Sequence, residues 1–420
     1  MNAAGTHEQV DSCTVELPML GFKQARQKVL DELAKSSTAP KSENVPLGNA
    51  LGRILDEEIL ADRDYPPFRR ATRDGFAVRA ADLNPVPSSL EILGEVKAGT
   101  WFEGKIGPGQ CVGIMTGAPV PEGADAVVMV EHTRVNGNGV RIDRALKSGD
   151  NIVPQGSEGK KGSLILPRGR RLRPGEIGLL ASVGKTVVSV ARRLRVAILA
   201  TGDEVVPLEQ EPEWFQVRNS NAAALCAQVE AADGIPVPLE VAPDRYEPLR
   251  ALLEKGLESD LLVLSGGVSM GKYDIVRNVL ADLGAEFHFT SVAMRPGKPL
   301  VFGHVQGRHF FGLPGNPVST FVTFELFVRP GMDVLSGAPP EPLTFMRARL
   351  GSEVRLKGKL TAFLPARVAE REDEPVVELV GWQGSGDLVG LAAANCFLVA
   401  HPDQKEILPG HWVDVLPKGW

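Results

Sequence analysis

Residues 194–200 read LRVAILA, an almost unbroken apolar run, and the polar turn Thr201-Gly202-Asp203-Glu204 follows directly. A second apolar run, LLVL at residues 261–264, leads into Ser265-Gly266-Gly267-Val268-Ser269. Runs of this kind are typical of strands that are buried on both faces of a parallel sheet. Helical patterns lie between and after these strands, so residues 192–335 are predicted to form a doubly wound, mostly parallel sheet.

Further domains are predicted around this α/β domain, which makes the fold class α/β multi-domain. Helical spacing in two separated stretches predicts a helical, elongated N-terminal domain made of residues 18–61 and 159–191. Short β-like runs between proline and glycine turns predict an inserted β-rich domain at residues 62–158. A turn-rich β pattern predicts a small C-terminal β-domain at residues 336–420.

The composition indicates a globular cytoplasmic protein. Hydrophobic residues make up 43% of the chain, and no run approaches the roughly 20 apolar residues of a membrane span. The net charge of −6 argues against a nucleic-acid-binding protein, because that class needs a basic surplus. The cysteines are scattered without a CxxC pair, and residues 1–14 lack the apolar core of a secretion signal. The chain has no Walker A motif, which argues against P-loop chemistry.

Ligands of open α/β sheets bind outside the carboxyl ends of the strands. Unusual segments are predicted at such ends, at residues 201–204, 265–272, 295–298 and 314–317. Gly266 and Gly267 can bring backbone N–H groups close to an anion, although a plain tight turn is an equally good interpretation. Arg295 and Lys298 lie on a turn stiffened by prolines, and two cations in that place favour anion binding over simple solvation.

Carboxylates predicted at the same edge indicate a divalent metal. Asp203, Glu204 and Asp274 offer the hard oxygens that Mg²⁺ prefers when it bridges phosphates. Asp274 is at least as well explained as a helix N-cap, which contributes about 1 kcal/mol. In the β-rich insertion, Asp74 and Thr116 stand beside glycines in turns, where ordinary hairpin chemistry is the better interpretation of each residue alone.

A series of short motifs, each weak alone, runs in order along nearly the whole chain. The motifs are FRRATRDGFAV (68–78), IMTGAPVP (114–121), ADAVVMVE (124–131), TGDE (201–204), SGGVS (265–269), RPGKP (295–299), GLPGNPVS (312–319), GSG (384–386) and NCF (395–397). As an ordered set they resemble the molybdopterin molybdenumtransferase family, which includes the C-terminal part of gephyrin.

The resemblance implies a homodimeric enzyme that takes adenylated molybdopterin and molybdate. It implies that Mg²⁺ or a similar ion serves the cleavage of the adenylate to AMP, that molybdenum is inserted into the dithiolene, and that molybdopterin adenylyltransferase and apo-molybdoenzymes are transient partners. Carried over by motif, the catalytic residues are Asp74, Thr116, Glu204 and Asp274, of which Glu204 and Asp274 serve the metal. The residues implied to bind the substrates are Ser265, Gly266, Gly267, Ser269, Asp244, Arg295, Lys298, Pro314, Gly315, Asn316, Ser319 and Ser385.

The chain departs from the family pattern at Arg73, at Arg295 and in the segment 153–158, where the family has Met, Lys and an RxxGED run. An arginine in place of lysine keeps a cation but changes its geometry. The segment 153–158 leaves open a second function, a non-catalytic carrier or scaffold that binds molybdopterin or the finished cofactor. A third alternative is a regulatory nucleotide-binding protein whose affinity for AMP or ATP does not respond to molybdate.

Overall fold

A computed structural model of the chain describes residues 17–36, 41–267, 275–356, 359–371, 373–402 and 404–417. The chain separates into two compact units. Unit 1 comprises Met1–Glu43, Gly52–Ile54 and Val190–Trp420, and unit 2 comprises Asn44–Leu51 and Leu55–Ser189. This division is coarser than the domains predicted from the sequence, whose boundaries stay a prediction.

The described chain contains several short α-helices. They are α1 (Phe22–Ser36), α2 (Pro174–Ser182), α3 (Ser220–Ala231), α4 (Tyr246–Gly256), α5 (Ile275–Asp282), α6 (Pro317–Thr323), α7 (Arg329–Leu335) and α8 (Leu388–Ala393). A π-helix, Phe324–Val328, connects α6 to α7, and 3₁₀-helices form at Leu47–Asn49, Ala80–Leu83 and Val130–His132. No helix within the described residues combines the length and the apolar character that a membrane crossing requires.

The central sheet of unit 1 has the predicted parallel core. Its spatial order is Ile235–Pro238, Arg195–Ala200, Leu261–Ser265, Arg308–Leu313, Val301–Val305 and Glu286–Phe289. The first four strands run parallel, and the last two join them through antiparallel pairing. Ala200 pairs with Ser265 and Ser265 pairs with Leu313, so three neighbouring strands end at one edge. The prediction of a doubly wound, mostly parallel sheet is confirmed.

Apolar side chains cover both faces of this sheet. Val196 and Ile198 belong to a core cluster on one face, whereas Ala197 and Leu199 belong to a cluster on the other. Successive side chains of a strand point to opposite faces, which explains the alternation. Because both faces are buried, the strand reads in the sequence as a continuous apolar run.

Helix α1, which the sequence analysis assigned to the N-terminal domain, packs into the core of unit 1. Val29 and Leu33 have no exposed surface and belong to the same cluster as the central sheet. A Cβ atom on Gly331 of α7 would lie 2.7 Å from Cδ1 of Leu33. The missing side chain at Gly331 therefore allows α1 and α7 to approach closely.

A second, seven-stranded sheet in unit 1 contains most of the C-terminal chain. Its order is Leu20–Gly21, Val292–Arg295, Thr361–Arg371, Glu374–Leu379, Met346–Leu350, Trp412–Pro417 and Cys396–Ala400. Thr361–Arg371 also pairs with Cys396–Ala400, so the last five strands close into a small barrel. The small C-terminal β-domain of the predicted fold class is confirmed. The short pairs Val205–Val206 with Val217–Arg218 and Val354–Arg355 with Glu406–Ile407 complete the strands of this unit.

The strand Val292–Arg295 corrects one expectation. Residues 295–298 were predicted to follow a strand of the α/β sheet, whereas the strand that leads into them pairs with Leu20–Gly21 and with Thr361–Arg371 of the second sheet. A short apolar segment has the same local pattern in either sheet, and its partners are far away in the chain, so the pattern does not indicate which sheet it joins.

Unit 2 is β-rich, as the fold class predicted for residues 62–158. Its main sheet has the order Ala126–Met129, Gly75–Val78, Gln110–Ile114, Ser88–Val96, Gly139–Ile142 and Thr133–Asn136. Two-stranded pairs add Arg70–Ala71 with Ile152–Val153 and Ile59–Leu60 with Leu164–Leu166, and a further pair, Ser42–Pro46 with Val187–Ala191, has residues in both units. Separate core clusters cover the two faces of the main sheet, with Ala77 in one and Phe76 in the other.

Leu33→Ala is expected to lower the free energy of unfolding by about 2–5 kcal/mol, the usual effect of truncating a fully buried leucine. Lys35→Ala in the last turn of the same helix is the matched control. The side chain of Lys35 is 68% exposed and its ion pair with Glu32 is of the weak surface kind. Urea unfolding measures both variants, and equal small changes would contradict the packing of α1 in the core of unit 1.

Candidate functional site

Three turns meet at the carboxyl edge of the central sheet. Thr201, Gly266 and Gly315 follow the ends of three neighbouring parallel strands. A Cβ atom on Gly266 would lie 2.8 Å from the carbonyl oxygen of Thr201, and a Cβ atom on Gly315 would lie 3.5 Å from Cα of Gly266. Gly266 also has a φ of 88°, in the left-handed region that favours glycine. The structure therefore brings three of the segments predicted from the sequence into contact.

A side chain that the sequence analysis did not select ties two of these turns together. Nδ2 of Asn221 donates to Oγ of Ser265 and to the carbonyl oxygen of Gly315, each at 2.8 Å. Asn221 lies in the first turn of α3, where Asn219 caps the helix by accepting the N–H of Ala222. The partners of Asn221 are 44 and 94 residues away in the chain, so no local signal indicates them.

Two buried hydroxyl groups line the glycine turn. Ser265 is 3% exposed and Thr201 is 4% exposed. Oγ1 of Thr201 lies 2.6 Å from the position that a Cβ atom of Gly267 would occupy. This hydroxyl has no hydrogen-bond partner within the described ranges of the chain. Burying a hydroxyl without a partner costs about 1–3 kcal/mol, so the position suits an oxygen of water or of a ligand.

Carboxylates gather beside these turns. The N–H of Asp244 donates to Oδ1 of Asp203 at 3.1 Å. A Cβ atom on Gly202 would lie 2.5 Å from Oε2 of Glu204, so that carboxylate folds back over the turn. Burial raises the pKa of Asp244, and the negative charges of Asp203 and Glu204 raise it further. A divalent cation would relieve this repulsion.

Carboxylate oxygens are the type of ligand that Mg²⁺ prefers, so these residues have the chemistry that the predicted ion requires. In the part of the chain that the structure describes, no group of three or more His, Cys, Asp or Glu side chains has the arrangement of a finished metal site. Asp274, the second predicted ligand, lies outside the described residues, as does Ser269. The metal assignment therefore stays a prediction.

The cationic turn 295–299 packs on helix α6. A Cβ atom on Gly297 would lie 2.5 Å from Cγ2 of Thr323 in that helix. The middle of the turn is buried, whereas Arg295 and Lys298 are exposed. Ser319, one turn earlier in α6, is 4% exposed. The turn thus keeps both cations accessible while its backbone is fixed against α6.

Hydrogen bonds join the start of α6 to two other predicted segments. The carbonyl oxygen of Pro314 accepts from Oγ1 of Thr320 at 2.5 Å. The N–H of Val318 donates to the carbonyl oxygen of Ser385 at 2.9 Å. Asn316 occupies the N-cap position of α6, and its side chain makes no capping hydrogen bond. Helix α6 therefore contacts both the turn after the fourth parallel strand and the segment around Ser385.

Unit 2 holds Asp74 and Thr116 as a hydrogen-bonded pair. Oδ1 of Asp74 accepts the N–H of Thr116 at 2.6 Å, and both residues are exposed. This backbone hydrogen bond, with a further one from the hydroxyl of Thr116, keeps the pKa of Asp74 below its usual value. At the neighbouring Gly75 a Cβ atom would lie 1.7 Å from the carbonyl oxygen of Val128, so no other residue fits there. The two predicted residues thus form one polar site within unit 2.

Glu204→Gln is expected to lower the pKa of Asp244, because it removes one of the charges that raise it. Burial is the larger cause, so this pKa should stay above its usual value. A raised pKa means that Asp244 contributes stability at low pH that is lost as the pH rises through that pKa, and the substitution should reduce this loss.

The matched control for this titration is Glu240→Gln, which removes an exposed carboxylate in the same part of unit 1. Carboxyl ¹³C NMR titration of the aspartates measures the pKa of Asp244 in both variants. A pKa of Asp244 that Glu204→Gln leaves unchanged would contradict the arrangement of the carboxylates.

Three protein-family models match the chain in order along its length. "MoeA N-terminal region (domain I and II)" matches residues 20–184, "Probable molybdopterin binding domain" matches residues 197–333, and "MoeA C-terminal region (domain IV)" matches residues 347–418. The second of these covers the central sheet with its three turns.

Relatives of known name match nearly the whole chain. The molybdopterin molybdenumtransferase of Bacillus subtilis (strain 168) is 37% identical over 388 residues, 90% of this chain and 90% of that protein. The molybdopterin molybdenumtransferase of Haemophilus influenzae is 32% identical over 403 residues, 95% of this chain and 98% of that protein. The solved structure of the molybdopterin biosynthesis moeA protein from Pyrococcus horikoshii OT3 matches with a TM-score of 0.74 at 28% identity, covering 95% of this chain and 99% of that one.

These matches confirm the resemblance that the ordered motifs indicated. They cover both units of the structure, and the fold of the chain agrees with that of the solved relative. The chain therefore belongs to the molybdopterin molybdenumtransferase family, a family of transferases in molybdenum cofactor biosynthesis.

Proposed function

We propose that this protein inserts molybdenum from molybdate into adenylated molybdopterin and releases AMP. The observation that carries the proposal is the contact between the acidic turn and the glycine turn, where Gly266 approaches the carbonyl oxygen of Thr201. Donors for a phosphate thus lie next to carboxylates suited to a divalent cation. Cleavage of a phosphoanhydride needs both, because charge on the phosphate oxygens must be neutralised.

The glycine turn binds the phosphate of the adenylate. Ser265 contributes its hydroxyl, and Gly266 and Gly267 let the phosphate approach the backbone. Thr201 adds a second buried hydroxyl beside the same turn. Ser269 belongs to the same predicted motif, beyond the described residues. Fixed donors of this kind stabilise the charge that develops as water cleaves the anhydride into AMP and the molybdopterin phosphate.

Glu204 and Asp274 are the proposed ligands of Mg²⁺, with Asp203 and Asp244 beside Glu204. A bound Mg²⁺ supplies positive charge to the phosphate oxygens. Burial is the main cause of the raised pKa of Asp244, and the negative charges of Asp203 and Glu204, which a cation would offset, raise it further. Through such an ion the carboxylates would hold the phosphate of the substrate at the strand ends.

Molybdate binds at the cationic turn. Molybdate is a dianion, and Arg295 and Lys298 are exposed cations on a turn whose backbone is held by α6. Ser319 lies in the same helix, and Ser385 lies at its first turn. Charge-assisted hydrogen bonds from two cations and donors from serines suit a tetrahedral oxyanion.

Incubation with adenylated molybdopterin, Mg²⁺ and molybdate should release AMP and incorporate molybdenum together. Lys298→Ala should raise the molybdate concentration for half-maximal incorporation at least about tenfold, because a hydrogen bond to a charged group contributes about 1.5–3 kcal/mol. Lys255→Ala, which removes an exposed lysine in the last turn of α4, is the matched control. An unchanged dependence on molybdate in Lys298→Ala would contradict the molybdate site.

A non-catalytic carrier is the second candidate, and one observation favours it. The acid of the divergent segment 153–158, Glu158, is engaged in an ion pair with Arg70 at 3.0 Å within unit 2. If the protein is a carrier, it binds adenylated molybdopterin and releases no AMP in the same incubation. Binding without AMP release would therefore favour the carrier over the transferase.

We further propose a homodimer in which Asp74 and Thr116 of one subunit serve the site formed by the other. The pair belongs to unit 2, whereas the anion-binding and acidic residues belong to unit 1. Family resemblance implies the dimer, and two-fold symmetry gives each dimer two equivalent sites.

Subunit mixing tests this arrangement with Asp74→Asn and Glu204→Gln, each expected to be inactive alone. A heterodimer isolated through two different tags has one site with both lesions and one with neither, so it should regain about half of the wild-type activity per dimer. Mixing wild-type subunits through the same tags is the control. Heterodimers that form and stay inactive would show that each site is built within one chain.

A further inference from the structure

We infer that Asn221 is a positioning residue that turns the hydroxyl of Ser265 into a donor for the bound phosphate. The inference rests on the proposed function, in which the glycine turn receives that phosphate. Asn221 holds Oγ of Ser265 and the carbonyl oxygen of Gly315 with one amide group, at 2.8 Å each. Both acceptors stand at the ends of neighbouring parallel strands.

The orientation of the amide follows from its partner. A backbone carbonyl oxygen can only accept, so the atom of Asn221 that faces Gly315 must be the nitrogen and not the oxygen. The same nitrogen faces Oγ of Ser265, which therefore accepts from Asn221. A serine hydroxyl that accepts in this way keeps its own proton for another acceptor. Ser265 is thereby left to donate to the anion.

The arrangement also shields a bound anion from two hydrogen-bond acceptors that would repel it. The carbonyl oxygen of Gly315 and a lone pair of Ser265 would each face a phosphate with partial negative charge. Asn221 covers both acceptors with N–H groups, so the phosphate meets donors instead of acceptors. The effect is selective for the charged part of a nucleotide, since adenine and ribose carry no net charge.

Asn221 itself is held by a rigid element. It lies in the first turn of α3, which is capped by Asn219 and anchored by the fully buried Leu225 and Val229. Leu225 and Val229 belong to the same core cluster as the central sheet. The amide is thus fixed relative to the strands whose turns it joins, as a residue that orients a binding group must be.

The test compares the affinities for AMP and for adenosine, measured by isothermal titration calorimetry in the presence of Mg²⁺. Asn221→Asp keeps the shape of the side chain but replaces the donor by a carboxylate that only accepts. The hydroxyl of Ser265 then donates to the new carboxylate and is lost to the phosphate. We expect the Kd for AMP to rise at least about tenfold while the Kd for adenosine changes less than about twofold.

Asn219→Asp is the matched control, because it adds the same charge two residues away and aspartate caps a helix as well as asparagine. Its Kd for AMP should stay within about twofold of wild type. Equal losses in Asn219→Asp and Asn221→Asp would overturn the inference, since the added charge alone would then explain them. Asn221→Ala removes both donors without adding charge, and it should weaken AMP binding but not adenosine binding even if Asn221→Asp does not fold.

A double-mutant cycle with Ser265→Ala shows whether Asn221 acts by orienting the hydroxyl of Ser265 or only by supporting the fold around it. If Asn221 acts through the hydroxyl of Ser265, the losses in AMP affinity of Asn221→Asp and Ser265→Ala are smaller together than their sum. Additive losses, or wild-type AMP affinity in Asn221→Asp, would overturn the inference. A wild-type protein that binds AMP but releases none from adenylated molybdopterin would instead contradict the proposed function and leave the role of Asn221 intact.

Discussion

The close approach of three turns at the carboxyl edge of the central sheet is the constraint on which the site depends. Gly266 takes a left-handed conformation against Thr201, and Gly315 packs on Gly266. Any larger side chain at Gly266 would separate the acidic turn from the glycine turn. The strands before these turns are buried on both faces, so their ends are fixed by the core and not by loop contacts.

The cationic turn 295–299 and the segment around Ser385 both contact helix α6, which begins just after the turn at Gly315. Val318 and Val322 of α6 share a core cluster with Phe363 and Phe397 of the C-terminal barrel and with the central sheet. The turn 295–299 packs on the same helix through Gly297. One core cluster of unit 1 therefore holds together segments that come from separate stretches of the chain, including strands of the barrel.

Local sequence patterns predicted strands well where burial on both faces of the sheet determined the sequence. The apolar runs at 194–200 and 261–264 are the buried parallel strands Arg195–Ala200 and Leu261–Ser265. Sheet membership of Val292–Arg295 and the packing of α1 were not predictable, because both depend on partners distant in sequence. Asn221 was missed for the same reason, since its hydrogen-bond partners are distant in sequence. No local pattern selects residues such as Ser385, whose role is a prediction from family resemblance alone.

The most direct test of the central claim is anomalous X-ray scattering at the molybdenum edge from crystals soaked with molybdate and AMP. The proposed molybdate site predicts a molybdenum peak beside the cationic turn 295–299 and Ser319. It also predicts a phosphate of AMP on the glycine turn at Ser265. A molybdenum peak elsewhere, for example on the exposed Arg168 and Arg170 of unit 2, with no peak at the cationic turn, would contradict the account.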